Sequence, residues 1–397
     1  MLGWLTRTFI VSAGVAFGLA GAASAQEQAP ETEAEFDSDG FTIESGDLEL
    51  KIGGRLHLDT VAIESDGITF EDSTDVRRLR VDATLDVGDD WRFKIDGDIG
   101  GISPGIYNAW VSYSGIKDVE FRLGNFIAPF NGENMMSSNN MKFVERALSS
   151  ELAPNFLLGA SVSYEGDNWS IVGGYFTNPI EDEELTNRDD GKSVVVRGVF
   201  SPIDRRREAL HFAVAAERRE LDSGASSRVR AVPEFALTRQ ALLDTGVLNG
   251  IEGYTNVNLE AAYMNGPVLL KAQQTTRYND APSLLDPEFK GAAVEAAWVV
   301  TGERQRYSSS TGTFGEIRPD RDNAWGAWEV AVRYSTLDLS DGVVAGGEQT
   351  NLTVGVNWYV NRNVRISANY VDAKAEPNRL AAADNPSAVM GRLQIAF

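Results

Sequence analysis

Residues 119–147, with the sequence VEFRLGNFIAPFNGENMMSSNNMKFVERA, contain the end of a β-strand and the start of a long loop. The first six residues alternate between apolar and polar side chains, which is the two-residue period of a strand whose faces meet different surroundings. Pro129 has no N–H to donate and therefore ends strand pairing. Roughly 30 residues without alternation follow, and loops of this length in a compact fold are usually functional or disordered.

The loop that begins at Pro129 is too apolar for a solvated surface tether. Its apolar residues are Phe130, Met135, Met136, Met141, Phe143 and Val144. Side chains of this kind need a surface to pack on, because leaving them in water costs free energy. We therefore predict that residues 127–157 fold inwards and pack inside the lumen of a barrel.

The same alternation recurs along the chain in sixteen segments. The predicted strands are residues 48–63, 76–87, 91–100, 107–114, 119–126, 158–165, 168–177, 192–200, 209–218, 254–265, 268–277, 290–301, 327–338, 349–361, 363–373 and 388–397. Short and long connections alternate between them, as in bacterial outer-membrane barrels with short periplasmic turns and longer extracellular loops. The connection at residues 302–326 breaks this rule, so either a strand pair is missed there or that periplasmic turn is truly long.

These segments predict an all-β protein, a 16-stranded antiparallel transmembrane β-barrel with an inward-folded third loop. Lipid offers no hydrogen-bond partners, so a membrane β-sheet must close and leave no free edge. A barrel of 16–18 strands encloses an aqueous channel. A soluble β-sandwich also shows alternation, but its strands normally form domains well below this length.

The ends of the predicted strands carry residues that are typical of the interface with outer-membrane lipid. Aromatic residues near strand ends match interfacial girdles; they are Trp91, Tyr107, Tyr113, Trp169, Tyr254, Tyr278, Trp358 and Tyr370. The last strand ends at Phe397, a C-terminal phenylalanine similar to the assembly signal of outer-membrane barrels. The barrel-assembly machinery is therefore an expected partner.

Composition divides the chain into three parts. Residues 1–25 have the composition of a cleavable signal peptide, with Arg7 before an apolar core and the small residues 23–25 at its end. Residues 26–47 are acidic and are expected to be a flexible periplasmic lead-in, and residues 48–397 are the barrel. The net charge of −22 disfavours nucleic acid as a partner. The expected location is the cell outer membrane.

Basic side chains on polar strand faces and in the long loop are candidates for an anion pathway, because rows of arginine pass anions by weak, successive binding. They are Arg55, Arg78, Arg80, Arg122, Arg333 and Arg365 on strands, and Lys142 and Arg146 in the loop. Arg197 and Arg392 face the lumen by the same alternation. The alternative is a mixed-charge, weakly selective lining, because carboxylates share these faces; they are Glu49, Asp59, Asp82, Asp96, Asp98, Glu120 and Glu329. For Lys142, Glu145 and Arg146 we favour a second alternative, ion pairs that tie the loop to the wall.

The sequence gives little support for an enzyme active site, a metal site or a cofactor site. His57 and His211 are the only histidines, and there is no cysteine, so a zinc site is disfavoured. His57 lies on a polar strand face and is a possible general base, but no nucleophile motif of a barrel hydrolase accompanies it. We expect no cofactor. A structural or adhesin barrel remains the alternative to a channel.

The sequence FRLGNFIAPF at residues 121–130, followed by SSNNMKFVERA at residues 137–147, resembles the phosphate-selective porins of the O and P type. Further matches lie at residues 302–307, 326–339 and 351–359, so the resemblance covers nearly the whole chain after residue 48. It implies a homotrimer of 16-stranded barrels, each a water-filled channel for passive diffusion of small hydrophilic solutes and ions, with an anion pathway lined by Arg and Lys. Members of this family commonly carry a lysine where Ile127 stands, and this chain is unusually acidic; both departures bear on phosphate selectivity.

Overall fold

The computed structural model describes residues 32–38, 40–65, 67–180, 191–222, 224–320, 324–377 and 384–397. The predicted signal peptide, residues 1–25, lies outside the described residues. None of the helices within the described part has the length and apolar composition needed to cross a membrane.

Within the described residues, sixteen antiparallel strands close into a barrel, which confirms the predicted fold. Their bounds are β1 Leu48–Glu64, β2 Ser73–Val87, β3 Trp91–Asp98, β4 Gly105–Ile116, β5 Val119–Ile127, β6 Phe156–Glu165, β7 Trp169–Thr177, β8 Lys192–Arg205, β9 Glu208–Glu220, β10 Gly253–Asn265, β11 Val268–Asp280, β12 Glu288–Val299, β13 Ala327–Asp341, β14 Val344–Tyr359, β15 Val364–Ala375 and β16 Ser387–Ala396. Each strand pairs with the next, and β16 pairs with β1 with Arg392 opposite Asp59. Among the sixteen described barrel strands, closure leaves no free edge.

Alternation along each strand separates a lipid-facing surface from a polar interior. On β14, Leu352 and Val354 are exposed on the outside, whereas Asn351 and Thr353 are each 1% exposed inside. This inversion of the usual burial of apolar residues is what a membrane barrel requires, because its outer wall meets hydrocarbon and its lumen meets polar groups. Two predicted girdle residues depart from the pattern and turn inwards. The ring centroid of Tyr107 lies 3.8 Å from the guanidinium of Arg80, and that of Tyr254 lies 4.1 Å from the guanidinium of the buried Arg277.

The chain before β1 is more ordered than its composition predicts. Residues Thr32–Asp37 and Gly40–Ser45 form an antiparallel hairpin, and the second of these strands pairs with the start of β1. Gly40 has a φ of +111°, and a Cβ there would lie 2.4 Å from the carbonyl oxygen of Ile52. The expectation of a flexible lead-in is therefore wrong for this part of residues 26–47.

The C-terminal residue completes the closure of the barrel. The N–H of Phe397 donates to the carbonyl oxygen of Gly54 at 3.0 Å, and the N–H of Gly54 donates back to Phe397 at 2.9 Å. The ring of Phe397 lies 6.3 Å from that of Phe36 in the N-terminal hairpin. Both described ends of the chain therefore meet on the rim that carries the short turns.

Three segments enter the lumen. The third loop (residues 128–155) contains helix α1, Gly132–Met135, and the 3₁₀ helices Ser138–Asn140 and Leu148–Leu152. From the opposite rim comes the lumen hairpin, strands Gln305–Ser308 and Thr313–Ile317. The β9–β10 loop contains the 3₁₀ helix Ala236–Thr238 and the short strand pairs Ser226–Ser227 with Leu248–Asn249 and Arg230–Ala231 with Leu243–Asp244; a further 3₁₀ helix, Pro282–Leu284, follows β11.

The connection at residues 302–326 is thus truly long, and the strand pair that it contains, the lumen hairpin, is not part of the barrel wall. Its hairpin folds up into the barrel and places Phe314 in an apolar cluster with Met136 and Met141 of the third loop and Met264 of β10. Burial of these side chains holds loop and hairpin together. A long connection at a position where a short turn is expected therefore supplies a second segment that narrows the lumen from the periplasmic side.

Candidate functional site

The third loop folds into the lumen as predicted, and charged side chains attach it to the wall. Lys142 is buried; its Nζ atom donates to Gln305 Oε1 of the lumen hairpin at 2.5 Å and lies 3.4 Å from Glu329 of β13. Glu145 accepts a hydrogen bond of 2.6 Å from Arg77 of β2. These contacts favour tethering over a pore-lining role for both loop residues.

Arg146 braces the third loop internally. Its guanidinium donates to the carbonyl oxygens of Glu133, Asn134 and Met136 at 3.1–3.3 Å. These carbonyls lie in and just after α1, so Arg146 satisfies backbone acceptors that a helix end leaves without partners. A guanidinium committed in this way has few donors left for a passing anion.

Arg333 of β13 joins the third loop to the β9–β10 loop. It is buried and donates to Glu234 Oε2 at 3.1 Å, to the carbonyl oxygen of Glu145 at 3.0 Å, and to Glu133 Oε1 at 3.4 Å. Glu234 also accepts from Thr353 at 2.7 Å, so its carboxylate is enclosed by donors. Glu234 lies in the long extracellular connection between β9 and β10. Nothing in the sequence of this connection predicts a buried carboxylate at that position.

The other buried arginines are also occupied by structural contacts. Arg365 donates to the carbonyl oxygen of Met141 at 2.8 Å and to Gln394 at 2.6 Å. Arg78 is 4% exposed and lies 3.5 Å from Nδ1 of His57, whose Nε2 is 3.1 Å from Asn139 in the third loop. Arg197 and Arg392 form close ion pairs with Glu260 and Asp59. His57 is thus a link between wall and loop.

Three of the predicted arginines remain partly exposed on one wall. Arg55 on β1 has its side chain 11% exposed, Arg80 on β2 12% and Arg122 on β5 31%. The lumen-facing side chains of β8–β16 are mostly buried by the inserted segments, whereas those of β2–β6 are mostly half-buried. The free space of the lumen therefore runs along the wall of β1–β6.

Of the two carboxylates nearest Arg80 and Arg55, only Asp98 is held by backbone donors. Asp98 lies 3.6 Å from Arg80 but accepts N–H bonds from Leu79 at 3.1 Å and Gly101 at 2.6 Å. Asp82 is 3.9 Å from Arg55, a loose pair. The Nε atoms of Arg80 and Arg55 are buried and have no hydrogen-bond partner. Only the partly exposed portion of each side chain can therefore meet a ligand.

On the periplasmic side, a cavity of about 610 Å³ lies between the third loop, the lumen hairpin and the rim of β14–β16. Ser137 of the third loop lines it, and Arg55 lies 3.4 Å from the hydroxyl of this serine. The cavity also borders the lumen hairpin at Gln305. None of the described residues that line the cavity lies on β1–β6.

The structure therefore divides the eight predicted pathway residues into two groups. Those on the free wall are Arg55, Arg80 and Arg122, and those buried in structural contacts are Arg78, Lys142, Arg146, Arg333 and Arg365. Ile127 lies on the face of β5 opposite to Arg122 and Phe126, by the alternation of the strand. The lysine that is missing at this position would therefore not lie on the lumen face of β5.

The attachment of the third loop should withstand acid. Burial acts to raise the pKa of Glu145, but the guanidiniums of Arg77 and Arg78 outweigh it and lower the pKa from 4.5 to about 2. Because the pKa is depressed in the folded protein, the carboxylate stabilises the inserted loop above pH 4.5 and loses this effect only as the pH falls through about 2. Below the protonation of Glu151, a carboxyl of the same loop whose pKa burial raises to about 7, we expect single-channel current noise in a planar bilayer to stay constant down to about pH 3.

Replacing Glu145 by Gln should increase that noise already at neutral pH, because Arg77 then loses its carboxylate partner. Glu165→Gln, at an exposed end of β6, is the control and should behave as the wild type. A rise in the noise of the wild-type channel between pH 5 and pH 4, where an ordinary carboxylate titrates, would contradict this assignment.

Known proteins resemble this chain in sequence over most of its length. Residues 50–397 match the model of the family described as phosphate-selective porin O and P. Porin O of Pseudomonas aeruginosa strain PAO1 is 28% identical over 374 residues, which cover 83% of this chain and 84% of that protein.

Solved porin structures share the fold at low sequence identity. An anion-selective porin from Comamonas acidovorans has a TM-score of 0.54 and 16% identity, over 88% of this chain and 100% of the other. In-vitro folded OmpT of Vibrio cholerae in its trimer form has a TM-score of 0.55 and 11% identity, over 88% of this chain and 99% of the other. Both similarities concern the barrel architecture.

Proposed function

Because this chain belongs to the family of phosphate-selective porins O and P, and is therefore an outer-membrane channel rather than an enzyme, we propose that small anions cross it along the wall of β1–β6. The observation that carries the proposal is the row of partly exposed arginines on that wall, Arg55, Arg80 and Arg122. Other small hydrophilic solutes would pass by diffusion through the same water-filled space.

The physical basis of the preference is an asymmetry between the two signs of charge. Asp98 is buried and receives backbone N–H donors, whereas the side chains of Arg80 and Arg55 remain partly exposed on the lumen wall. A guanidinium presents its donors in a planar fork that suits oxyanions, phosphate among them. Partial pairing with Asp82 and Glu120 keeps each binding step weak, which conduction requires.

The test is the zero-current potential of a variant that carries Arg55→Gln, Arg80→Gln and Arg122→Gln, measured in a planar bilayer under a salt gradient. We expect the ratio of anion to cation permeability to fall roughly threefold or more, because each lost cation weakens local attraction in a confined pore. Lys117→Gln, in an exposed turn on the periplasmic rim, is the control and should leave the potential unchanged. An unchanged potential in the triple variant would refute the arginine pathway.

We further propose that three copies associate in the membrane and that the barrel-assembly machinery recognises Phe397. Support for the first comes from the family and from the trimer form of OmpT. Support for the second is the position of Phe397 beside β1, where it completes barrel closure. Replacing Phe397 by Ser keeps these backbone hydrogen bonds, so lower outer-membrane levels of this variant with normal refolding in detergent would identify a recognition role.

A further inference from the structure

A group of arginines surrounds an open cavity on the periplasmic rim, away from the arginine row. Arg206 and Arg207 come from the β8–β9 turn, and Arg304, Arg306 and Arg318 come from the base of the lumen hairpin. The cavity they line has a volume of about 600 Å³. In a chain with a net charge of −22, such a concentration of positive charge is a local exception.

Most of these positive charges lack a carboxylate partner. Arg306 and Arg318 share Glu316, the first at 3.0 Å. Arg207 donates to the carbonyl oxygen of Gly302 at 3.4 Å, and Arg304 to that of Gln305 at 3.3 Å. Among the described residues, no ion pair is formed by Arg206, Arg207 or Arg304. The described lining also includes the carboxylates of Glu303 and Asp320, so five guanidiniums meet three carboxylates there and the site keeps an excess of positive charge.

This convergence costs free energy in the isolated barrel. Partial burial lowers the pKa of Arg304, and the nearby guanidiniums of Arg206, Arg207 and Arg306 lower it further. Burial and mutual repulsion thus act in the same direction on this side chain. A bound anion would offset the repulsion, as expected for a preformed anion-binding surface.

The cavity lies off the proposed permeation wall. Between it and β1–β6 stands the lumen hairpin, where Phe314 packs on Met136 and Met264. Ser170 of β7 donates to the carbonyl oxygen of Ser310 at 2.7 Å, which closes the hairpin tip against the wall. The described residues lining the cavity include none of the lipid-facing side chains nearby, such as Phe200 and Trp298. The site therefore does not face the lipid, and two residues at its edge, Arg306 and Glu316, also border the 610 Å³ cavity on the periplasmic side.

We propose that this arginine site docks an acidic segment of a periplasmic protein. Glu316 lies between two of the arginines and divides the positive surface into separate positions, which suits carboxylates spaced along a peptide better than one compact anion. Guanidinium–carboxylate pairs are bidentate and orient what they bind. The net negative charge of the chain repels acidic proteins. The positive charge of the arginine site therefore favours the approach of such a protein at this part of the rim.

The experiment uses the full-length channel in detergent micelles and a fluorescently labelled decaglutamate peptide, with binding measured by anisotropy at low ionic strength. The rim variant carries Arg206→Ser, Arg207→Ser and Arg304→Ser, all at exposed or half-exposed sites that leave the strand pairing intact. The matched control carries Arg92→Ser, Lys117→Ser and Arg362→Ser, three exposed cations elsewhere on the same rim. We expect the rim variant to bind the peptide roughly tenfold more weakly than the wild type, the combined effect of three exposed charge pairs, and the control to bind within about twofold of it.

Absence of peptide binding to the wild type, or equal weakening in both variants, would overturn the proposal. Two further arms distinguish other occupants. Competition by phosphatidylglycerol vesicles, but not by phosphatidylcholine vesicles, that depends on the three rim arginines would assign the site to a lipid headgroup. A shift of the zero-current potential in the rim variant as large as in the Arg55, Arg80 and Arg122 variant would place the site on the permeation path and equally overturn it; failure of the anion pathway alone would leave the docking proposal intact.

Discussion

Replacing residues 306–316 by a two-residue Asn-Gly turn is expected to raise single-channel conductance roughly twofold or more, because the excised hairpin fills lumen that a barrel of this size would otherwise leave to water. Gln305 and Ile317 are direct pairing partners, so a tight turn can join them with little change in their positions. Lys142 keeps its hydrogen-bond partner Gln305 in this variant. All sixteen barrel strands keep their own pairing, so the barrel should remain folded.

The control is Phe314→Leu, which keeps an apolar side chain between Met136 and Met264 and should leave the conductance near that of the wild type. Heat-modifiable migration in gels would verify that both proteins are folded barrels. Wild-type conductance in the shortened variant would mean that the hairpin does not limit the current, and the two-sided constriction would have to be abandoned.

Arg333→Met is expected to be the most destabilising single change. It leaves the carboxylates of Glu133 and Glu234 buried beside each other without the guanidinium that now lies between them. Removing one partner from a buried ion pair costs about 3–5 kcal/mol, much of it from the charge left behind. Urea unfolding of the detergent-refolded barrel should show this loss, and bilayer recordings should show frequent current fluctuations as both loops loosen.

Arg205→Met is the matched control, because Arg205 is exposed and pairs with Glu208 at 3.2 Å on the surface. Exposed pairs contribute at most about 1 kcal/mol. Adding Glu234→Gln to the Arg333 variant should recover part of the lost stability, since it removes one of the uncompensated charges. Equal stability of the Arg333 and Arg205 variants would show that the junction between the two loops is unimportant.

Strand positions could be predicted from sequence because lipid outside and polar groups inside impose a strict two-residue period. The inward course of the third loop followed from its apolar content, which has no other surface to cover. The alternation of Ala34 and Phe36 with Glu33 and Glu35 was a usable signal for the N-terminal hairpin. The acidic composition of the segment nevertheless predicted a flexible lead-in.

The roles of individual arginines could not be predicted in this way. Alternation places both Arg80 and Arg333 on the lumen face. Their different roles depend on tertiary contacts, which alternation does not predict. Arg333 meets Glu234, which is 99 positions away, and Lys142 meets Gln305, which is 163 positions away. No local pattern encodes pairs at that separation, so the sequence could not show which charges anchor loops and which face the solute.

The most direct test of the anion pathway is the sign of the zero-current potential of the wild-type channel in a planar bilayer under a potassium chloride gradient. A potential close to the chloride equilibrium value is predicted, because Arg55, Arg80 and Arg122 are partly exposed on one wall of the lumen while Asp98 beside them is buried and held by backbone donors. A potential close to the potassium equilibrium value would contradict this account and would mean that the carboxylates of the lining dominate the channel.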